Sequence, residues 1–278
     1  MRNNIIAIMY DFDKTLCTKD MQEYTFIPNL GIKPEDFWSD ANKLREKSKM
    51  DQVLTYMYLM IKKTSDQNKT IKRNYLNEMG KDIELYKGVA EWFKRINDFG
   101  KEHGVIIEHY IISSGLKEII ETSAIGKYFK QIYASEFYYD DNGDAVWPKL
   151  AVNYTNKTQF LIRINKGVLD ISDDYNLNKK MLEDEKRIST SNMIYIGDGI
   201  TDVPCMKLTK DGGGVSIAVY NQKSIKIAKS LYEDKRINYF VPADYSENSD
   251  IDIIIKKTIM SMALNTELKN MSYEESTK

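Results

Sequence analysis

Residues Ile5 to Tyr10 form an unbroken apolar run, the pattern of a strand buried on both faces, and the run stops abruptly at Asp11-Phe12-Asp13-Lys14-Thr15. Beyond it the period becomes helical. Pro34 with Glu35 and Asp36 marks a helix start, and Phe37, Ala41 and Leu44 fall on one face. Val53, Leu54, Met57, Met60 and Ile61 repeat at helical spacing, as do Ile71, Tyr75 and Met79 before Gly80. After Gly88 the pattern changes back. An amphipathic helix carries Val89, Trp92, Phe93, Ile96 and Phe99, and an apolar strand over residues 105–112 runs into Ser113-Ser114-Gly115 and a helix. A short strand is expected over residues 132–134, followed by a hairpin turn at Asp141-Asn142-Gly143. The charged stretch 166–186 predicts a helix with a loop. Residues 193–196 predict another buried strand, ending in Gly197-Asp198-Gly199. A strand over 215–219, a helix to Leu231, a strand near 239–241 and a last helix complete the pattern, and only the tail past Lys269 reads as disordered.

Strands alternating with helices predict an α/β fold with a parallel sheet covered on both faces. The helical block after the first strand interrupts that alternation. It divides the chain into a core of residues 1–16 and 88–278 and an inserted helical domain of residues 17–87. A length of 278 residues accommodates such a core and insertion. Forty basic against 41 acidic residues leave a formal net charge of -1, so no overall field draws in nucleic acid or an anionic membrane. A small molecule is the expected partner, and oligomeric state stays open. Two cysteines, Cys17 and Cys205, form no disulfide framework and fit a reducing compartment. The first apolar run is too short for a signal sequence and no later stretch reaches membrane-spanning length, so a cytoplasmic protein is expected.

Chemistry gathers where strands end. In open parallel sheets, ligands bind beyond the carboxyl ends of the strands, so polar groups there should converge. Asp11 and Asp13 leave the first strand two residues apart. One can attack an electrophile while the other serves as acid and base; taken alone, the pair reads equally as a solvated loop. Asp198 and Asp202 lie one helical turn apart after a buried strand and suit magnesium, a hard cation wanting few protein oxygens. A glycine turn with a capped helix satisfies that sequence as well. Ser113, Ser114 and Gly115 before a helix could form an anion site or an ordinary cap. Lys157, in Asn156-Lys157-Thr158, could offset anionic charge or be a surface lysine.

In this order and spacing the four segments resemble the motifs of the haloacid dehalogenase superfamily, across residues 5–16 and again about 88–241. Asp13 matches the phosphatases of that superfamily, since its true dehalogenases lack this residue. The resemblance implies a Rossmann-like core with an inserted cap, and a magnesium-dependent phosphatase working through an aspartyl-phosphate on Asp11 with Asp13 as acid/base. It implies further that Thr15 supports the loop and that Ser113, with Ser114 and Gly115, holds phosphate oxygens while Lys157 pairs with phosphate and nucleophile. Magnesium would sit on Asp11, the backbone carbonyl of Asp13, and Asp198, with Asp202 close by. The layout is similar to the phosphoserine phosphatase-like branch. There an acidic residue after the first motif (Asp20 or Glu23 here) and a cap arginine (Arg45 or Arg73) grip the leaving group of a small phosphate ester. For each of these four, a surface charge on an amphipathic helix is the ordinary alternative. A phosphotransferase or mutase of the same superfamily, and a non-catalytic phosphate binder, are the alternatives. His103 and His109 read as structural histidines, and Asp140-Asp141-Asn142-Gly143-Asp144 is rejected as a calcium loop because Ala145 and Ala151 stand where its glycine and glutamate should.

Overall fold

The computed structural model describes residues 4–183 and 185–276. Its seven strands are β1 (Ile5–Tyr10), β2 (Ile106–Leu116), β3 (Phe129–Tyr139), β4 (Ala145–Leu150), β5 (Met193–Gly197), β6 (Val215–Tyr220) and β7 (Tyr239–Pro242). They lie in the order β4-β3-β2-β1-β5-β6-β7, all parallel except the β3–β4 hairpin at one edge. The chain builds outward from β1 in one direction and then, after β4, in the other. The reversal places β1 between β2 and β5, the crevice where such sheets bind ligands. All six residues of β1 are buried, with Ile6, Ile8 and Tyr10 in one hydrophobic core and Ile5, Ala7 and Met9 in the other. Its continuous apolar pattern follows from having helices on both faces.

Between β1 and the core lies the helical insertion. It contains α1 (Phe26–Asn29), α2 (Pro34–Ser48), α3 (Gln52–Ser65) and α4 (Arg73–Glu78). Pro34 opens α2 and Lys49, in the left-handed region at φ 54°, ends it. Asp51 caps α3 by accepting from the N–H groups of Val53 and Leu54. The remaining helices are α5 (Val89–Glu102), α6 (Lys117–Thr122), α7 (Lys157–Lys166), α8 (Asp174–Asn178), α9 (Val203–Asp211), α10 (Ile225–Glu233) and α11 (Asp250–Ser276). No helix among the described residues is long and apolar enough to cross a membrane.

Four local expectations change. β3 spans eleven residues rather than three, because its second half pairs with β4 and carries the polar residues of a sheet edge. Among the described residues of 166–186, α8 is the single helix beyond the end of α7. Here Arg163 takes over the work of helical hydrogen bonds, donating to the carbonyls of Asp170, Ile171 and Asp173. The tail past Lys269 continues α11 to Ser276 instead of being disordered. Finally, Ser113-Ser114-Gly115 does not cap a helix: β2 extends through it to Leu116, and α6 begins only at Lys117.

Candidate active site

β1, β2 and β5 end side by side, and the groups predicted at their ends meet there. Asp11 is buried and tied to β5 through its N–H to the carbonyl of Ile196 at 2.9 Å. Next comes a tight turn in which the N–H groups of Thr15, Leu16 and Cys17 all reach the carbonyl of Phe12. Lys14 sits in the left-handed region at φ 57° to close it, a conformation costing a side-chain-bearing residue roughly 1–2 kcal/mol. That turn leaves Asp11 and Asp13 both facing one cavity of about 610 Å³. Ser113, Ser114 and Asp198 line the same cavity.

Beneath Asp11 runs a buried ionic chain. Lys157, fully buried, lies 3.0 Å from Asp11 Oδ1 and donates to Asp202 Oδ1 at 2.8 Å. The Tyr195 hydroxyl donates to that same Asp202 oxygen at 2.7 Å. Gly197 makes room for it, since a β-carbon there would fall 2.4 Å from Asp202 Oδ2. Burial pushes Asp11 up to about 6, with Lys157 pulling it down and Asp202 pushing it up. Burial opposes the Lys157 ammonium too, yet Asp11 and Asp202 outweigh it and hold its pKa above the usual lysine range. Asp198 is raised by burial and by Asp11 and Asp202.

Ligand oxygens of Asp11, Asp198 and Asp202 lie within 4.8 Å of one another. Lys157 contacts two of these three carboxylates, Asp11 and Asp202, and the buried Asp202 Oδ2 has no hydrogen-bond partner among the described residues. An excess of oxygen donors with one left unsatisfied fits a hard divalent cation. The site residues can therefore hold a metal.

Asp13 differs from its neighbour. Its Oδ1 accepts the Met21 N–H at 2.9 Å, while Oδ2 faces the spot where a β-carbon on Gly115 would sit, 2.9 Å away. Burial, followed by the charges of Asp20 and Asp11, raises its pKa well above the usual carboxylate range, so it holds a proton readily. Ser113 is buried, its hydroxyl accepting the Gly115 N–H at 3.0 Å. Thr15 lies outside the cavity lining. Its carbonyl accepts from the Tyr245 hydroxyl at 2.9 Å, which places it beneath the loop rather than against a ligand.

The insertion supplies the roof. Tyr56 donates to the carbonyl of Ser114 at 2.6 Å, and Asp51 Oδ2 accepts from Asn153 Nδ2 at 3.0 Å. Asp20 and Arg45 both line the cavity, Asp20 paired with Lys14 and Arg45 reaching Gln52 at 3.3 Å. The other two candidates do not line it. Glu23 accepts from Trp38 Nε1 at 2.7 Å, and Arg73 fastens the insertion to β3 through Glu136 at 3.3 Å and the face of Tyr139. Sequence reasoning missed Lys14, Tyr195 and Asn153. Of these only Lys14, next to two aspartates, carried any local signal. His109 sits between Tyr10 and Asn97 inside the core, and burial lowers its pKa to about 3.

Several known proteins are similar to this chain. An uncharacterized protein of Borreliella burgdorferi is 24% identical over 289 residues, covering 94% of this chain and 99% of that protein. Inorganic pyrophosphatase 2 of Arabidopsis thaliana is 25% identical over 202 residues, 72% of this chain and 66% of the relative. Among solved structures, a HAD family hydrolase from Salmonella enterica serovar Typhi superposes with a TM-score of 0.60 at 18% identity, over 92% of this chain and 72% of that one. A phosphoserine phosphatase solved as a phospho-aspartyl intermediate analogue gives 0.56 at 15% identity, over 92% and 99%. At these identities the superpositions establish the fold. Haloacid dehalogenase-like hydrolases as a family match residues 8–207, a span holding Asp11, Asp13, Ser113, Lys157, Asp198 and Asp202, and the chain belongs to that family.

Proposed function

We propose that the protein is a magnesium-dependent phosphatase that hydrolyses a small phosphorylated metabolite through an aspartyl-phosphate on Asp11. The observation that carries this reading is the pairing of two unlike carboxylates at one strand end. Asp11 is braced by a buried lysine, and Asp13 is held at a raised pKa facing the same cavity. Asp11 attacks phosphorus, and the bond to the leaving oxygen breaks as Asp13 passes its proton to that oxygen. With Oδ1 occupied by the Met21 N–H, the proton rides on Oδ2. Asp13, now a carboxylate, then takes a proton from water as that water opens the aspartyl-phosphate, which restores Asp11 and releases phosphate. A bound magnesium, held by Asp11, Asp198 and Asp202, would offset the repulsion between two anions. Lys157 keeps Asp11 ionised and in place, and Ser113 faces the phosphate oxygens. Residues 17–87 act as the cap, with Asp20 and Arg45 towards the leaving group. Two buried free cysteines suit a reducing, cytoplasmic setting.

Phosphate released from p-nitrophenyl phosphate with magnesium tests this directly. Asp11→Asn should abolish it. Retention of most activity with the wild-type metal requirement would end the proposal, and transfer to an added alcohol without free phosphate would mark a phosphotransferase instead.

A further inference from the structure

Beside the catalytic cavity lies a second hollow of about 580 Å³ between α9 and α10, with a floor of Val203, Pro204 and Leu231 and Ser230 at its side. The two hollows share Tyr154, Ile200 and Ile227 as a common wall. The two hollows therefore adjoin along these three side chains. Ile200 follows the metal-site aspartate by two residues and is 67% exposed, while Tyr154 and Ile227 are also exposed. Single exposed apolar residues need no explanation, but three of them shared by a catalytic cavity and the hollow beside it do. The charged residues of the second hollow, Lys226, Asp234 and Arg236, do not line the catalytic cavity.

We infer that this groove receives an apolar extension of the substrate's leaving group, so that the preferred substrate is the phosphate monoester of an elongated, partly apolar alcohol. The inference rests on the phosphatase reading for its chemistry. The shared wall designates the occupant: a leaving group that outgrows the catalytic cavity on this side meets Tyr154, Ile200 and Ile227 and the hollow beyond them. Burying methylenes there lowers the barrier only if the chain stays in the groove during reaction, so the gain should appear in kcat/KM.

The experiment compares ethyl, butyl, hexyl and octyl phosphate below their aggregation concentrations, with p-nitrophenyl phosphate as reference. kcat/KM should rise about two- to four-fold per methylene once the chain passes Tyr154. Ser230→Trp, a change at an exposed helical position, plugs the groove; it should flatten the series while leaving ethyl and p-nitrophenyl phosphate within two-fold of wild type. Indifference to chain length in the wild type, or a steep series surviving Ser230→Trp, overturns the inference. Binding of ethyl- and octylphosphonate by calorimetry separates the two ideas. A chain-length preference lost in Ser230→Trp, without turnover of any ester, keeps the groove and discards the phosphatase reading; equal affinities discard the groove.

Discussion

Replacing Lys157 with methionine preserves a side chain of similar length and removes the ammonium held 3.0 Å from Asp11 and 2.8 Å from Asp202. Both carboxylates stay buried, and deleting one partner of a buried ion pair costs about 3–5 kcal/mol. At about 2–4 °C per kcal/mol in a chain of this size, the metal-free variant should melt roughly 6–20 °C below wild type. The pH dependence has a definite sign. Asp11 stands at about 6 when folded against 3.8 ordinarily, so the folded protein binds more protons than the unfolded one between those values. Stability therefore falls as pH rises through that window. Loss of Lys157 pushes Asp11 higher still. The deficit should be largest near pH 8 and shrink towards pH 5, where a proton replaces the missing charge. Calorimetry in EDTA at both pH values reads the effect, and added magnesium should recover part of the loss at pH 8. An equal deficit at pH 5 and pH 8, or none at either, would refute the claim that Lys157 acts by neutralising buried carboxylates.

Two further substitutions test the geometry. A β-carbon on Gly115 would fall 2.1 Å from Met21 Cε and 2.9 Å from Asp13 Oδ2, so Gly115→Ala should lower kcat by about 100-fold, the lower end of one general-acid contribution, while far-ultraviolet circular dichroism stays native; an unchanged kcat would show that Asp13 tolerates displacement. Arg45→Ala should alter the ranking of phosphate esters more than the p-nitrophenyl phosphate rate, whereas Arg73→Ala, which loosens the clasp to Glu136, should depress all substrates alike. Equal losses on every substrate for Arg45→Ala would count against its role in recognition.

The central strands were legible because their physics is one-dimensional. An apolar run buried on both faces has no other home, and carboxylates just beyond it have nowhere to go but the sheet edge. Asp11, Asp13 and Asp198 could be placed that way. Tyr195 could not, because a tyrosine within the apolar run 193–197 reads as packing, and only the fold brings its hydroxyl to Asp202. Charges on amphipathic helices were similarly silent. Asp20 and Glu23 are three residues apart, yet one lines the cavity and the other meets Trp38. The irregular stretch after α7 escaped because many of its carbonyls are satisfied by the side chains of Arg163 and Lys166, a solution that periodicity cannot register.

The Tyr245 hydroxyl closes on the carbonyl of Thr15 across 230 positions of chain. During synthesis the loop bearing Asp11 emerges long before Tyr245 and the β7 strand that pairs with β6. A nascent chain stopped at residue 230 would carry every reactive group and still lack the latch on its first loop. The loop that carries Asp11 should thus become rigid only once residues past Tyr245 have left the ribosome.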